Sequence, residues 1–456
     1  MRKWGYIFGV SVILLLGGCG RSMGEEQVEK ITQVSDAETE VLHGAGWSGI
    51  DFCIMESGML YVKDGQMRYY DFAGNDSYVL CTKLNCSHRD EACSAYVPLI
   101  DMEGLAYYRE HVYYFWHDRE KGHIELVRME LSGENKETVW SQSVGEYATG
   151  SWVISGVPHN VYYSGGAVWF VLSYCYIDER NSGRTTSDVC AVIDLDNGVY
   201  TAISETAADE TVEYNTISGR DAVWTRRRNR IKMLSEDEFL KKWEAGEFSG
   251  QISDVSDPYG EYYIGWYERN KEPEYTYYCY NLDTGRSREL ETRDACRILD
   301  DEGAVLAYCP DYIFLGRYQG KWLYELVDYE RNDRVYLWDA DTGEKTGLLE
   351  LENGGIIGRT YGMIDYGIFD NSCFLYGLFQ DEQSKITIYR YDLKTGDSKK
   401  LFEDVRNITF RIIGDTPEYF IGNVYDQQNT ANVKTYMIRK EDYFAGNMDQ
   451  TIRIRP

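Results

Sequence analysis

Tyr389-Arg390-Tyr391-Asp392-Leu393-Lys394-Thr395-Gly396 closes an aromatic strand with a polar turn, and the layout recurs at Tyr336-Leu337-Trp338-Asp339-Ala340-Asp341-Thr342-Gly343 and Tyr278-Cys279-Tyr280-Asn281-Leu282-Asp283-Thr284-Gly285. Shorter copies are Ile193-Asp194-Leu195-Asp196-Asn197-Gly198, Met129-Glu130-Leu131-Ser132-Gly133 and Tyr70-Asp71-Phe72-Ala73-Gly74. Most place Asp or Asn where a side chain can bond the turn backbone, and all place glycine where φ is expected to turn positive. Successive glycines lie 59, 65, 87, 58 and 53 residues apart, room for about four short strands each. A repeat of that length marks a β-propeller rather than a sandwich.

Partner strands precede the turns, Phe374 to Phe379 before Ile386 and Tyr262 to Tyr267 before Tyr275. A last unit, Tyr419 to Tyr425 followed by Val433 to Arg439, keeps the strands and lacks the turn. The expected fold is all-β: a single β-propeller over residues 46–456, with seven blades and six or eight as alternatives. Forty tyrosines and seven prolines fit a chain of short aromatic strands. An open ring would leave strand edges unpaired, so Thr451 to Arg455 and Ile50 to Met55 are expected to complete one blade together. The long interval implies a helical insertion near residues 229–258, where Ser235 and Glu238 have capping-box spacing. Arg226-Arg227-Arg228 just before it reads as a solvated decoration or as an anion-binding or partner-docking element.

At the other end, Arg2 and Lys3 precede an apolar run from Trp4 to Leu16 and then Gly17-Gly18-Cys19. This is the layout of a bacterial lipoprotein signal peptide, with residues 1–18 removed and Cys19 acylated. The run is shorter than the ~20 residues of a spanning helix. Residues 19–45 are expected to be the lipidated cysteine and a polar tether. The expected location is the extracytoplasmic face of the cell membrane, with the membrane as partner through the lipid anchor. The formal charge of −28 becomes −30 once Arg2 and Lys3 are lost, which disfavours nucleic acid and anionic headgroups.

The sharpest local motif is Cys81-x4-Cys86-x-His88-x4-Cys93. Three thiols and an imidazole form a tetrahedral zinc set that one loop can supply. Outside the cytoplasm two of these cysteines could form a disulfide instead. A zinc site here would be structural, since all four positions are filled by protein, and it is the one cofactor the sequence suggests. Cys175 and Cys190 lie symmetrically about Ser182-Gly183, so a disulfide between them is expected if the hairpin turns there, and two buried thiols if it does not. Cys53, Cys279, Cys296, Cys309 and Cys373 are expected to be buried thiols. Asp194-x-Asp196 and Asp339-x-Asp341 are expected to stabilise turns rather than bind calcium. His111, His117 and His123 are read as exposed loop residues.

The lipobox at Cys19, the Tyr-x-Asp-Leu-x-Thr-Gly turns and the Val79 to Cys93 segment together resemble the TolB-like β-propeller lipoproteins of anaerobic Gram-positive bacteria, including those named for the propeller of low-density-lipoprotein-receptor-related proteins. The resemblance runs from about Trp47 to the end. It implies a fold and a location, and little chemistry. No Gly-x-Ser-x-Gly elbow, His-Glu-x-x-His helix or phosphate-binding glycine loop is present, so catalytic residues are not assigned. The leading expectation is a propeller that binds or scaffolds an extracellular protein or glycan. A propeller-type polysaccharide hydrolase or lyase is the alternative, and an envelope assembly factor the third.

Overall fold

The computed structural model describes residues 21–22, 44–45 and 51–454, apart from residues 91, 98–101, 178–184, 207–209, 249–255, 300–304, 310, 328–331, 353, 357–367, 371, 381–384, 406–409 and 427–428. The signal segment and Cys19 lie outside the described residues. Among those described, no helix is long and apolar enough to cross a membrane.

Among the described residues, seven of the eight sheets form successive blades of mostly consecutive antiparallel strands; in one of them Trp152–Ile154 and His159–Ser164 both pair with Ala167–Tyr176. The seven are blade 1 (Asp51 to Val79), blade 2 (Met102 to Ser143), blade 3 (Trp152 to Glu205), blade 4 (Glu210 to Asp294), blade 5 (Tyr312 to Glu352), blade 6 (Gly354 to Val405) and blade 7 (Arg411 to Arg453). The first strands of neighbouring blades touch, Asp51–Met55 against Met102–Tyr108 and Glu210–Ser218 against Tyr312–Tyr318, so each is innermost in its blade. This is a seven-bladed β-propeller.

Each seam between blades holds its own apolar core, because a propeller strand must bury both faces against neighbours. Blades 2 and 3 meet through Phe115 and Phe170, ring centroids 4.8 Å apart. Blades 3 and 4 share Trp169, which meets Tyr214 and Tyr280 edge-on. Tyr277, Tyr312, Phe314 and Trp338 fill the seam of blades 4 and 5. The unusual tyrosine content is thus inter-blade filler, combining a large apolar ring with an edge that finds polar partners.

The turn motif works as its chemistry suggests. Asp392 Oδ1 accepts from the Lys394 and Thr395 amides at 2.9 Å, and Asp339 Oδ1 from Asp341 and Thr342 at 2.9 and 3.1 Å. These bonds hold both carboxyls below the usual range. Asp194 Oδ1 likewise accepts from the Asp196 amide at 3.0 Å, so both Asp-x-Asp pairs brace turns, while Asp196 also pairs with Arg109 and Asp194 with Arg220. Glycine takes positive φ at 133, 198, 285, 343 and 396; in the weakest copy that role passes from Gly74 to Asn75, φ 50°.

Two expectations are corrected. The termini do not share a blade: Ile452–Arg453 pairs with Tyr436 and Met437 in blade 7, whereas Asp51–Met55 pairs within blade 1. The ring closes through side chains instead, with Phe52, Met59, Tyr61 and Tyr70 of blade 1 packed on Ile421, Met437 and Ile454. Blade 1 gains two short edge strands, Gly44–Ala45 beside Asp51–Phe52 and Arg21–Ser22 parallel to Tyr78–Val79.

Second, the insertion in blade 4 runs past residue 258 to about 272. Its first helix, Glu236–Glu244, has the expected Ser235 and Glu238 capping box. Tyr262 to Tyr267 is no strand, because Pro258–Tyr263 and Ile264–Asn270 are helical. Tyr259, Tyr263 and Tyr267 recur every fourth residue and bury one helical face around Phe239. The strand preceding Pro273–Asn281 is Asp221–Asn229, which contains the arginine run. Arg226 lies over Trp224 and Tyr278, while Arg227 faces Glu213 and Tyr275.

Candidate metal centre and binding face

After the outer strand of blade 1, the chain folds back along its own hairpin. Met67 N donates to Ala95 O at 2.8 Å and Val97 N to Gly65 O at 2.9 Å, and the Gln66 side chain donates to His88 O. Asn85 and His88 take positive φ, which curls the intervening segment into a compact loop. Lys83 Nζ caps Ala92 O at 2.6 Å.

The curl brings together the thiols of Cys81, Cys86 and Cys93 and the His88 imidazole, their ligand atoms all within 4.8 Å of one another. His88 Nδ1 lies 3.4 Å from Cys93 Sγ. Tetrahedral zinc with Zn–S bonds of 2.3 Å would set its ligands roughly 3.8 Å apart, so the donor set fits after a small contraction. Cys81, His88 and Cys93 are buried and Cys86 is half-buried. Burial opposes ionisation of Cys81, but bonds from Ser94, the Lys83 backbone and the other thiols outweigh it and lower its pKa. Burial pushes Cys93 up to about 12. Burial, with Arg68 nearby, keeps the His88 ring below its ordinary range. Among the described residues this is the one cluster of three or more such donors; His111 and His123 each face a nearby carbonyl instead.

The loop also staples blade 1 to blade 2. Thr82 Oγ1 donates to Glu134 at 2.9 Å and Lys136 Nζ to Tyr96 O at 2.8 Å. Gly133 lies so close that a Cβ there would sit 2.7 Å from Ser94 O, at a φ of +79°. Gly133→Ala is expected to destabilise by about 1–3 kcal/mol through strain and clash and to loosen the loop, measured as faster hydrogen exchange at residues 92–96.

Cys175 and Cys190 are not brought together. Cys175 opposes Thr186 and Cys190 opposes Val171, so they are offset by four residues, about 13 Å along the strand and beyond disulfide reach. Ser182-Gly183, the expected centre of symmetry, lies outside the described residues, and the described pairing of Tyr176 with Thr185 sets a different register.

Other groups are brought together by strand pairing within a blade, which no local motif could signal. Connections leaving second strands, and those passing from a fourth strand to the next blade, emerge at the same end of an up-and-down meander. The helical insertion, the 296–309 hairpin and the loop carrying Tyr147 are all of this kind. There Tyr147 is 67% exposed, and Trp152, 45% exposed, packs on Tyr176 with centroids 5.4 Å apart. On the inner strand of blade 4, Glu213 lines a cavity of about 40 Å³ with Thr211, Thr225, Arg227 and Tyr275. Glu213 keeps exposed surface, yet partial desolvation by the groups packed around it raises its pKa despite Arg227, and Asp188 adds to the rise. A carboxyl raised on folding binds more protons in the native state, so stability falls as pH rises through the interval between its unfolded and folded values. Because solvent reaches Glu213, the effect is small: Glu213→Gln is expected to raise the melting temperature by no more than ~1 °C near neutrality, with no gain below about pH 4.

Neither a protein family nor a curated protein matches the sequence. Solved structures do align with the fold. They include an oligogalacturonate lyase from Vibrio parahaemolyticus (9% identity, 75% of this chain and 74% of that one, TM-score 0.42). The propeller domain of the Trilobed protease from Pyrococcus furiosus, described as having an open velcro topology, aligns at 9% identity (89% and 92%, TM-score 0.39). TolB from Acinetobacter baumannii aligns at 11% identity (79% and 61%, TM-score 0.29). At these values the likeness lends this chain no activity.

Proposed function

We propose that this chain is a lipid-anchored extracytoplasmic lipoprotein whose propeller binds a glycan on the face carrying the Trp152–Tyr176 pair. The observation behind this reading is that aromatic pair, an exposed Trp152 on a half-buried Tyr176, on the face of the long blade-4 insertion. Rings held by a strand pairing present apolar faces at little entropic cost, and a sugar ring can stack on them. The formal charge of −28 favours a neutral or cationic glycan over a polyuronate. The anchor reading rests on the residues ending in Cys19.

The test is retention of the protein on immobilised cell-wall polysaccharide fractions. Trp152→Ala is expected to weaken retention roughly tenfold, about 1.4 kcal/mol. Unchanged retention, or capture on protein fractions alone, would reject a glycan ligand at this pair.

The loop of Cys81, Cys86, His88 and Cys93 is proposed to hold a structural zinc ion that fixes the seam of blades 1 and 2. With four protein ligands it would leave no position for a reacting water.

The second reading, a polysaccharide hydrolase or lyase, draws on Glu213 and His159, two titratable groups with exposed surface on neighbouring strands His159–Ser164 and Glu210–Ser218. It requires release of soluble sugar from the same fractions, lost in Glu213→Gln.

A further inference from the structure

Between blades 4 and 5 the chain forms a hairpin that belongs to none of the seven sheets, Cys296–Leu299 against Val305–Cys309. Its register sets Cys296 directly opposite Cys309, followed by Arg297 opposite Tyr308 and Ile298 opposite Ala307. Directly opposed residues of an antiparallel pair have Cα atoms ~4.5–5.5 Å apart and side chains on one face. That separation lies inside the range a disulfide spans. Among the described strand registers no other two cysteines are opposed; Cys175 and Cys190 miss by four residues.

We propose that Cys296 and Cys309 form a cross-strand disulfide that pins this hairpin. Two further features point the same way. Both cysteines are partly exposed rather than sealed in a core, so an exchanging disulfide can reach them, which corrects the expectation of buried thiols. The hairpin also lies outside every blade. An isolated two-stranded ribbon is marginal in water, a register shift interrupts this one beside Leu299, and Leu299 and Leu306 are 45% and 66% exposed. Its ties to the body are Ala295 N to Pro273 O at 3.0 Å, Tyr308 Oη to Arg269 O at 2.9 Å and Arg297 to Glu272 at 3.6 Å.

Pinning has a structural consequence. The hairpin forms one wall of a cavity of about 410 Å³, to which Cys296, Arg297 and Tyr308 contribute along with Arg230, Glu272 and Asp294. The bond would fix that wall against the helical insertion.

The chemistry is thiol–disulfide exchange. The two thiols lose two electrons and two protons as the S–S bond forms. A low-molecular-weight or protein disulfide accepts them, passing through a mixed disulfide and leaving as two thiols.

The experiment takes the full chain, equilibrated in oxidised or reduced glutathione, alkylated under native conditions and digested for peptide mapping. In the oxidised sample the Cys296 and Cys309 peptides are expected as one linked species, lighter by two hydrogen atoms and carrying no label. Reduction should restore label to both, and Cys296→Ser should leave Cys309 labelled. Mapping by peptide keeps the chemistry of Cys81 to Cys93 separate. Amide exchange in the hairpin is expected to slow on oxidation in the native chain and not in the double serine variant. Label on both cysteines in the oxidised, folded protein would overturn the proposal, as would linkage of either to a different cysteine. Both readouts are on the unsubstituted chain, so a variant that fails to fold does not affect them.

Discussion

Purified without chelator, the full chain is expected to carry one zinc ion, and Cys86→Ser or His88→Ala to abolish it. Removing a ligand should cost more than the roughly 10–100-fold in affinity lost with an outer-shell partner. Because Thr82, Ser94 and Tyr96 contact Glu134, Ser132 and Lys136 of the next blade, loss of the ion should register beyond the loop. Hydrogen exchange is expected to rise on both sides of the seam of blades 1 and 2, and the melting temperature to fall on chelation. Metal content and thiol titration under denaturation decide the matter together. Absent metal with two thiols missing among Cys81, Cys86 and Cys93 would make the loop a disulfide staple instead.

The second large effect is expected at Lys440, which is 6% exposed and contacts Asp370 and Asp415 at 2.6 Å each. Its Nζ sits 5.4 Å from the Phe420 ring centre. Burial opposes its charge, but Asp415 and Asp370 more than compensate and raise its pKa. Asp415 is itself raised by burial against the pull of Lys440. Lys440→Met would strand that carboxylate, a loss of about 3–5 kcal/mol read by thermal or denaturant unfolding. With Asp415 raised further, its native state binds more protons than its unfolded state, so the defect should be largest near neutral pH and shrink towards about pH 4. Adding Asp415→Asn should recover part of the loss. If Lys440→Met costs less than about 1 kcal/mol, the pairing is not what holds this corner of blades 6 and 7.

The turns were the most legible part of the sequence. An Asp or Asn accepting two backbone amides, followed by glycine in a left-handed conformation, is a local device and leaves a local mark, which is why blade count and most strand pairs could be read directly. The cluster of Cys81, Cys86, His88 and Cys93 was legible for the same reason, since one loop supplies all four side chains. What failed depended on distance along the chain. Cys175 and Cys190 were placed by symmetry about a turn, and a four-residue change of register separates them. Tyr262 to Tyr267 looked like a strand because aromatics cluster there, yet the four-residue spacing of Tyr259, Tyr263 and Tyr267 is helical and was present in the sequence. The Glu213 cavity, the Trp152–Tyr176 pair and the Gly133 contact arise from packing between strands or blades, so no single stretch announces them.

Closure by side chains has a mechanical meaning. Because no described strand from the C-terminal end is woven into blade 1, the seam through Phe52, Tyr61, Ile421 and Ile454 can part without breaking a ladder hydrogen bond among the described residues of the two blades. On the proposed anchor at Cys19, tension would enter the ring at blade 1, where Arg21–Ser22 and Gly44–Ala45 are paired. The ring would then yield there like a clasp, while the other six seams stay tied by continuous chain.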